Sequence, residues 1–200
     1  VSDSGACTPV TVIAHDIDFV NRRLRKGQYF FSDIKKEGVL LFDSGRFQLS
    51  EPKELTSAQR KKLAEEDFAY WMERADSTGR LFAYALREDD FRNGAFLLHQ
   101  ITESLYAAVL LVFSRYKQST HDLETLGKQA AALEPKFLEA FPLGTPEERR
   151  CFELLRKAYV DARYKPSYRI TREELEWLAA RVQHLRELAD RLCRERIASF

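Results

Sequence analysis

The chain has 200 residues, of which 44% are apolar and 32% are charged. It can therefore bury a sizeable core, and it is too rich in charge for a membrane protein. Its longest apolar run, which ends at Phe113, is far shorter than the roughly 18 residues that a transmembrane helix requires. With 32 basic and 31 acidic residues, the charge balance excludes a strongly basic nucleic-acid binder, so any anion site has to be local.

The three cysteines, Cys7, Cys151 and Cys193, are odd in number, far apart and without CxxC spacing. This pattern is typical of reduced thiols in a cytosolic protein and argues against a disulfide or zinc framework. No signal-peptide pattern is present at the start. We therefore expect a cytoplasmic protein that contacts no membrane and binds no metal through this chain.

Residues 1–49 predict a short α/β segment. The stretch PVTVIAHD (9–16) alternates and is β-branched, as strands are. Two helical stretches follow, which end at Gly27 and Gly38, and the next stretch, VLLFD (39–43), predicts a second strand. A segment of this size is too small to bury both faces of a sheet by itself.

Residues 55–200 predict an antiparallel helical bundle, so the chain as a whole is expected to be mainly α-helical. Capping boxes, in which Thr is followed three residues later by Glu or Gln, begin at Thr56, Thr145 and Thr171. We predict helices over 57–87, 89–116, 121–132, 146–163 and 172–197. The second of these is apolar on more than one face and should be the central helix, whereas the last carries one apolar stripe.

The central helix contains the first candidate site. Arg92, His99 and Glu103 are spaced so that they share roughly one face of the helix. A histidine oriented by a carboxylate can act as a general base, and an arginine can stabilise charge on phosphorus, so Arg92 and His99 are weak catalytic candidates. In the alternative interpretation, His99 and Glu103 form a polar seam between packed helices.

The helix predicted to start near residue 121 is a second candidate site. We expect Thr120 to be its N-cap, with His121 and Asp122 in the first turn. Helix N-termini attract anions, but Asp122 already supplies a negative charge there. The sequence therefore favours simple capping over a bound phosphate.

The third candidate is the stretch ARYKPSYR (162–169), where a helix is expected to end before a proline. Arginines bind phosphates, and bases stack on tyrosines. In the alternative interpretation, Tyr159 and Tyr164 pack inward and Arg163 bridges helices through an acidic side chain such as Glu103. The candidate nucleotide-binding residues are His99, Glu103, Arg163, Tyr164, Lys165, Tyr168 and Arg169.

Three motifs of the sequence resemble those of a known family. AFLLHQITESLYAAVLLVFSRYKQSTHDLETLGKQAAAL (95–133) followed by AYVDARY (158–164) resembles the HEPN domain, with its F-L-x-H-Q-x-x-E-x-x-Y helix, T-H-D-L helix start and A-R-Y segment. The resemblance spans about 57–199. It implies a small helical bundle that binds a nucleotide or RNA, as a homodimer or beside a partner nucleotidyltransferase.

The first 45 residues resemble the C-terminal end of a minimal nucleotidyltransferase domain, which suggests a nucleotidyltransferase–HEPN fusion protein. That resemblance implies a GS-x-x-x-G turn and a metal-binding D-x-D pair, which the chain lacks, and a third carboxylate whose position falls near Thr11. We therefore expect a truncated or cleaved product that does not transfer nucleotides itself. Mg²⁺ would be a cofactor only if a complete transferase domain lies upstream.

Some HEPN proteins are metal-independent ribonucleases that carry an R-x4-6-H motif. Arg163 is not followed by such a histidine, and Arg92 and His99 meet the spacing only formally. We therefore expect a nucleotide- or RNA-binding domain that is accessory to a nucleotidyltransferase and not an enzyme alone. The alternatives are a homodimerising interaction module, which would use the stripe of 172–197 or the central helix, and a ribonuclease.

Overall fold

The structure is a computed structural model that describes residues 12–200. It consists of two compact units, one that ends at Glu54 and one that begins at Leu55. The regular elements of the described residues are all helical, and the mainly α fold class is thereby confirmed. They are α1 (Ile17–Arg25), α2 (Tyr29–Glu37), α3 (Ser57–Arg87), α4 (Phe91–Ser114), α5 (Leu123–Leu133), α6 (Pro146–Tyr164) and α7 (Arg172–Ala198), with a short 3₁₀ helix (Pro135–Glu139) between α5 and α6.

The two predicted strands do not occur among the described residues. Residues 39–43 have no regular secondary structure, and neither have residues 12–16, whereas residues 9–11 lie outside the described part. A strand is held by hydrogen bonds to a neighbouring strand, and the described part of the first unit offers only helices as neighbours. Over residues 12–49 the expected α/β segment is therefore corrected to a helical one.

The first unit is a helix pair followed by an irregular segment. Asp16 caps α1 by accepting a hydrogen bond from the amide three residues later. Gly27, with a φ of 64°, allows the turn into α2. Asn21 then fixes the later segment, since its amide donates to the carbonyl of Gln48 at 3.0 Å and accepts from the amide of Ser50 at 2.6 Å.

The second unit is a helical bundle built around α4. This helix contacts α3, α5, α6 and α7, which confirms the prediction that it is central. By length and composition it is also the one helix of the described residues that could span a membrane, but 72% of its most apolar window is buried inside the bundle. Its position in the core accounts for its apolar character.

The helix starts of the bundle agree with the prediction in three cases, and those of α4 and α5 lie two residues later than predicted. The capping boxes at Thr56, Thr145 and Thr171 are all formed. In α5, however, the N-cap is Asp122, whose carboxylate accepts from the amide of Glu124 and the hydroxyl of Thr125. The expectation that Thr120 caps this helix with His121 in its first turn is therefore wrong, because a carboxylate two residues later takes the capping role.

The apolar stripe of α7 is part of the bundle's own core. Its members are all buried: Leu175, Leu178, Val182, Leu185, Leu188, Ala189 and Leu192. Most apolar side chains of α4 are buried as well. Neither surface is open to a second protein, so the idea that one of them serves a homodimer is not supported by the structure.

Candidate functional site

A cluster of aromatic and cationic side chains lies where the C-terminal half of α6 meets α4 and the connection between α4 and α5. We call it the α6 cluster and define it by Phe96, His121, Tyr159, Arg163 and Tyr164. Tyr159 and Arg163 are four residues apart on α6 and so lie on one face of the helix. Phe96 comes from α4, and His121 comes from the loop before α5.

Arg163 is exposed and rests on aromatic rings. Its guanidinium carbon lies 4.4 Å from the ring centroid of Tyr159, 4.8 Å from that of Phe96 and 5.0 Å from that of Tyr164. Its Nε donates to the carbonyl of Tyr159 at 2.6 Å. The two terminal nitrogens make no hydrogen bond or ion pair with any described residue, so the charge is held in place by rings while four N–H donors remain available.

His121 stacks on the same tyrosine. The rings of His121 and Tyr159 are 4.0 Å apart between centroids and only 15° from parallel. The guanidinium of Arg163 lies over the same tyrosine ring, at 4.4 Å from its centroid. Tyr159 is therefore a common support of the imidazole and the guanidinium.

The two ring nitrogens of His121 have different environments. Nδ1 is 2.9 Å from a carboxylate oxygen of Glu103, and Nε2 is 3.0 Å from the hydroxyl of Tyr159. A carboxylate accepts hydrogen bonds, so Nδ1 carries the proton in the neutral ring. Nε2 then carries the lone pair and accepts the hydrogen bond of the Tyr159 hydroxyl.

Glu103 anchors this part of the cluster from α4. Its carboxylate also accepts from the ammonium group of Lys117 at 3.3 Å, and its side chain is only 12% exposed. A largely buried carboxylate with two partners holds a fixed position better than an exposed one does. Glu103 therefore orients His121 and is itself already paired.

His99 lies beneath the cluster and is completely buried. Its Nδ1 is 3.0 Å from the carbonyl of Leu155 on α6, and its ring is 5.4 Å from the ring of Tyr159. Nε2 is buried and has no hydrogen-bond partner among the described residues. Burial lowers the pKa of His99 below its ordinary value. His99 therefore fastens α4 to α6 as a neutral ring that solvent does not reach.

The guanidinium of Arg92 is hydrogen-bonded to backbone carbonyls. It donates to the carbonyl of Ala162 at 2.9 and 3.2 Å and to the carbonyl of Lys165 at 3.0 Å. These carbonyls belong to the C-terminal end of α6, where the helix dipole is negative. Arg92 thus closes the end of α6, and the structure does not place it with His99 as an exposed catalytic pair.

The remaining candidates of the 162–169 stretch divide by exposure. Tyr164 is 70% exposed, whereas Tyr168 is 6% exposed and donates its hydroxyl proton to the carbonyl of Leu154 at 3.0 Å. Lys165 forms an ion pair with Asp161 at 2.9 Å. Arg169 donates to nearby backbone carbonyls. Of these four, only Tyr164 has an exposed side chain next to Arg163 that makes no hydrogen bond or ion pair with a described residue.

Three members of the cluster were not among the candidate nucleotide-binding residues of the sequence: Phe96, His121 and Tyr159. The spacing of Tyr159 and Arg163 on one helix was a usable signal. The sequence contained no signal that His121 would lie against Tyr159, because that contact depends on how the loop before α5 passes over α6. The expected ion pair between Arg163 and Glu103 is absent, since Glu103 is paired with His121 and Lys117 instead.

No metal site is apparent in the described part of the chain, where no group of three or more His, Cys, Asp or Glu side chains converges. Cys151 and Cys193 are free and buried, and Cys7 lies outside the described residues. The chemistry of the α6 cluster is therefore that of a cation, an imidazole and aromatic faces. Such groups suit an anionic ligand with a planar part.

The fold and the cluster define a helical bundle in which the central helix and α6 together support an exposed arginine, histidine and tyrosine. The family model of the HEPN domain matches residues 68–192, which is more than half of the chain. The chain therefore belongs to the HEPN domain family. The matched range contains every residue of the α6 cluster. No curated protein matches the chain.

Proposed function

We propose that the chain binds a nucleotide or single-stranded RNA at the α6 cluster. One observation carries this proposal: the exposed guanidinium of Arg163 is fixed between aromatic rings, and its terminal nitrogens have no partner among the described residues. A phosphate accepts hydrogen bonds from such a guanidinium in a bidentate manner. The exposed ring of Tyr164 lies beside it and offers a stacking surface for a base.

The electrostatics of the helix end support this assignment. The carbonyls at the C-terminus of α6 would repel a phosphate, but two of them are bound by the guanidinium of Arg92. That pairing offsets the negative end of the helix dipole close to Arg163.

The test is a titration of fluorescently labelled single-stranded RNA, read by fluorescence anisotropy at fixed salt. We expect Arg163→Ala to weaken binding by about tenfold or more, as loss of a charge-assisted phosphate contact does. Arg191→Ala is the matched control, because Arg191 is also an exposed helical arginine and has no ion pair among the described residues. Equal affinities of the two variants, or no binding by the unmodified chain, would refute the proposal.

A metal-independent ribonuclease is a second candidate function, and the geometry of His121 favours it. Glu103 holds Nδ1, so Nε2 is the basic nitrogen, and the Tyr159 hydroxyl is its hydrogen-bond donor. A substrate hydroxyl that replaces the tyrosine hydroxyl would meet a histidine arranged as a general base. We expect cleavage of RNA in the presence of EDTA that is lost in His121→Ala. His99→Ala removes a buried ring and should reduce activity only as far as it unfolds the chain. Absence of EDTA-resistant cleavage would exclude this candidate.

An accessory role beside a nucleotidyltransferase remains a prediction from the resemblance of the first 45 residues, and so does Mg²⁺ as a cofactor of such a domain. A cytoplasmic location is likewise a prediction from the cysteine pattern. Binding of RNA by the α6 cluster depends on none of these three predictions. It is testable with the chain alone, in buffer that contains no divalent metal.

A further inference from the structure

A second cluster of aromatic and cationic side chains lies where α3 passes the end of α4. We call it the α3 cluster and define it by Tyr70, Trp71, Arg74, Arg115 and Lys117. The first three residues belong to adjacent turns of α3, Arg115 is the C-cap of α4, and Lys117 follows in the connection to α5. The α3 cluster therefore has the same kinds of side chain as the α6 cluster, supplied by other elements of the bundle.

Arg74 is exposed and rests on aromatic rings, as Arg163 does. Its guanidinium carbon lies 5.3 Å from the ring centroid of Trp71 and 5.8 Å from that of Tyr70. One terminal nitrogen donates to the hydroxyl of Tyr70 at 3.3 Å, and the guanidinium has no ion pair with any described residue. The remaining N–H donors are thus available to a phosphate, and the ring of Tyr70, which is 53% exposed, is available to a base.

Arg115 adds hydrogen-bond donors that have no acceptor. Its Nε and Nη1 are buried and have no hydrogen-bond partner in the part of the chain that the structure describes. Its ion pair with Asp67 is long, at 3.8 Å between nitrogen and oxygen. Since buried N–H donors normally have acceptors, the α3 cluster contains more donors than its own acceptors can satisfy.

The charges of this surface favour an anionic ligand. The three cations of the α3 cluster face two carboxylates, those of Asp67 and Glu103. Glu73, which is next to Arg74 in sequence, lines a different groove beside Phe68. With Arg163 of the α6 cluster included, four cations stand against two carboxylates, so the surface as a whole is positive.

Glu103 joins the two clusters. One of its carboxylate oxygens accepts from the ammonium group of Lys117 at 3.3 Å, and the other lies 2.9 Å from Nδ1 of His121. The contacts that lead from Arg74 to Arg163 pass in turn through Trp71, Lys117, Glu103, His121 and Tyr159. One phosphate cannot contact both ends of such a line, whereas a strand of several nucleotides can.

We propose that the α3 cluster is a second RNA contact of this chain, and that one single strand of RNA spans the α3 cluster and the α6 cluster. The inference rests on the proposed function, since it makes the α6 cluster one end of a longer site. Arg74 and Arg163 bind phosphates of the strand, while Tyr70 and Tyr164 stack on its bases. The combination of cations along a backbone with aromatic stacking is typical of single-strand binding. The ligand class is therefore a strand of several nucleotides and not a mononucleotide.

The test is a set of fluorescence anisotropy titrations with labelled single-stranded RNAs of about two and about eight nucleotides, a range in which single-strand sites are filled. We expect the unmodified chain to bind the longer RNA at least about tenfold more tightly, as one additional charge-assisted phosphate contact provides. Arg74→Ala should remove most of this difference. Because Arg74 is exposed, the variant should fold normally by circular dichroism.

Arg87→Ala is the matched control. Arg87 is also an exposed arginine of α3, and its guanidinium carbon lies 5.0 Å from the ring centroid of Tyr84. It follows Arg74 by about 20 Å along the helix axis, far from the contacts that join the two clusters. We expect this variant to keep the affinity of the unmodified chain for both RNAs.

The salt dependence of binding provides a second measurement, which a purely structural role of Arg74 would not change. Each phosphate contact with a single strand contributes about 0.7 to the slope of log K against log salt. We expect Arg74→Ala to lower the slope for the longer RNA by about that amount and Arg87→Ala to leave it unchanged.

The outcomes separate this proposal from the proposed function. Equal affinities for the two RNAs, or an affinity and a slope that Arg74→Ala leaves unchanged, would overturn the longer site. If Arg163→Ala still weakens binding in that case, the α6 cluster stands as a binding site by itself. If Arg163→Ala has no effect, or the unmodified chain binds neither RNA, the proposed function fails and the longer site fails with it.

Discussion

Arg163 lies against the ring of Tyr159, which precedes it by one turn of α6, with its guanidinium carbon 4.4 Å from the ring centroid and its Nε bonded to the tyrosine carbonyl. The side chain is therefore ordered before any ligand arrives. An arginine that is ordered in advance loses less conformational freedom when it binds a phosphate. The following predictions separate the residues that we expect to contact a ligand from those that support them.

Tyr164 should contribute to binding and not to stability. Its ring is 70% exposed, so we expect Tyr164→Ala to leave the free energy of unfolding within about 0.5 kcal/mol. The same variant should lose about 1–3 kcal/mol of RNA-binding energy through lost base stacking. Tyr84→Ala is the control in anisotropy titrations, because Tyr84 is 59% exposed and also lies under an arginine, Arg87. Equal affinities of the two variants would contradict this role.

Tyr168 should behave in the opposite way. Its hydroxyl is the donor of a hydrogen bond to the carbonyl of Leu154, and the residue is buried. We expect Tyr168→Phe to lower the free energy of unfolding by about 0.5–1.5 kcal/mol without changing RNA affinity. Urea denaturation and the same titration provide the two measurements. A variant of unchanged stability that binds RNA less tightly would place Tyr168 in the site after all.

Arg92 should stabilise the end of α6. It donates to two carbonyls there, and hydrogen bonds from a charged group contribute about 1.5–3 kcal/mol. We expect Arg92→Ala to lower the free energy of unfolding by about that amount and to accelerate hydrogen exchange in the last turn of α6. Arg92→Lys should restore only part of the loss, since a single ammonium does not reproduce the planar fork. Unchanged exchange in this turn would contradict the assignment.

His99 should make the stability of the bundle depend on pH. Its pKa is lowered in the folded state by burial, whereas in the unfolded chain it is about 6.5. The unfolded state therefore binds more protons below pH 6.5, and stability falls as pH decreases from there towards the folded-state pKa.

The slope of stability with pH in that window should be steeper for the unmodified chain than for His99→Gln. The difference should be at most about 1.4 kcal/mol per pH unit. Urea denaturation at a series of pH values between 7.5 and 5 measures it. The comparison uses slopes, so any uniform destabilisation by the substitution does not matter. Parallel curves for the two proteins would show that His99 does not titrate differently in the two states.

The bundle could be predicted from the sequence because local signals agreed with tertiary packing. The capping boxes at Thr56, Thr145 and Thr171 fix three helix starts, and the apolar surface of α4 identifies the central helix. The strand expected at 39–43 failed because strand formation depends on a partner strand, about which a single stretch of sequence carries no information.

The candidate site could be predicted only in part. Arg163 and Tyr164 were recognisable as an exposed cation and aromatic pair at a helix end. The hydrogen bonds of Arg92 and Tyr168 to backbone carbonyls could not be predicted, because they join segments that are distant in sequence. The contact of His121 with Tyr159 likewise depends on the path of a loop. Residue types indicated the chemistry, and tertiary contacts decided which residues remain available for it.

The most direct measurement of the central claim is ultraviolet crosslinking of single-stranded RNA to the chain, followed by mass spectrometry of the crosslinked peptides. The expected result is a crosslink within residues 159–165, at Tyr164 or its immediate neighbours, which is lost in Arg163→Ala and kept in Arg191→Ala. Crosslinks confined to other parts of the molecule, or a pattern that Arg163→Ala leaves unchanged, would contradict the assignment of the α6 cluster as the binding site.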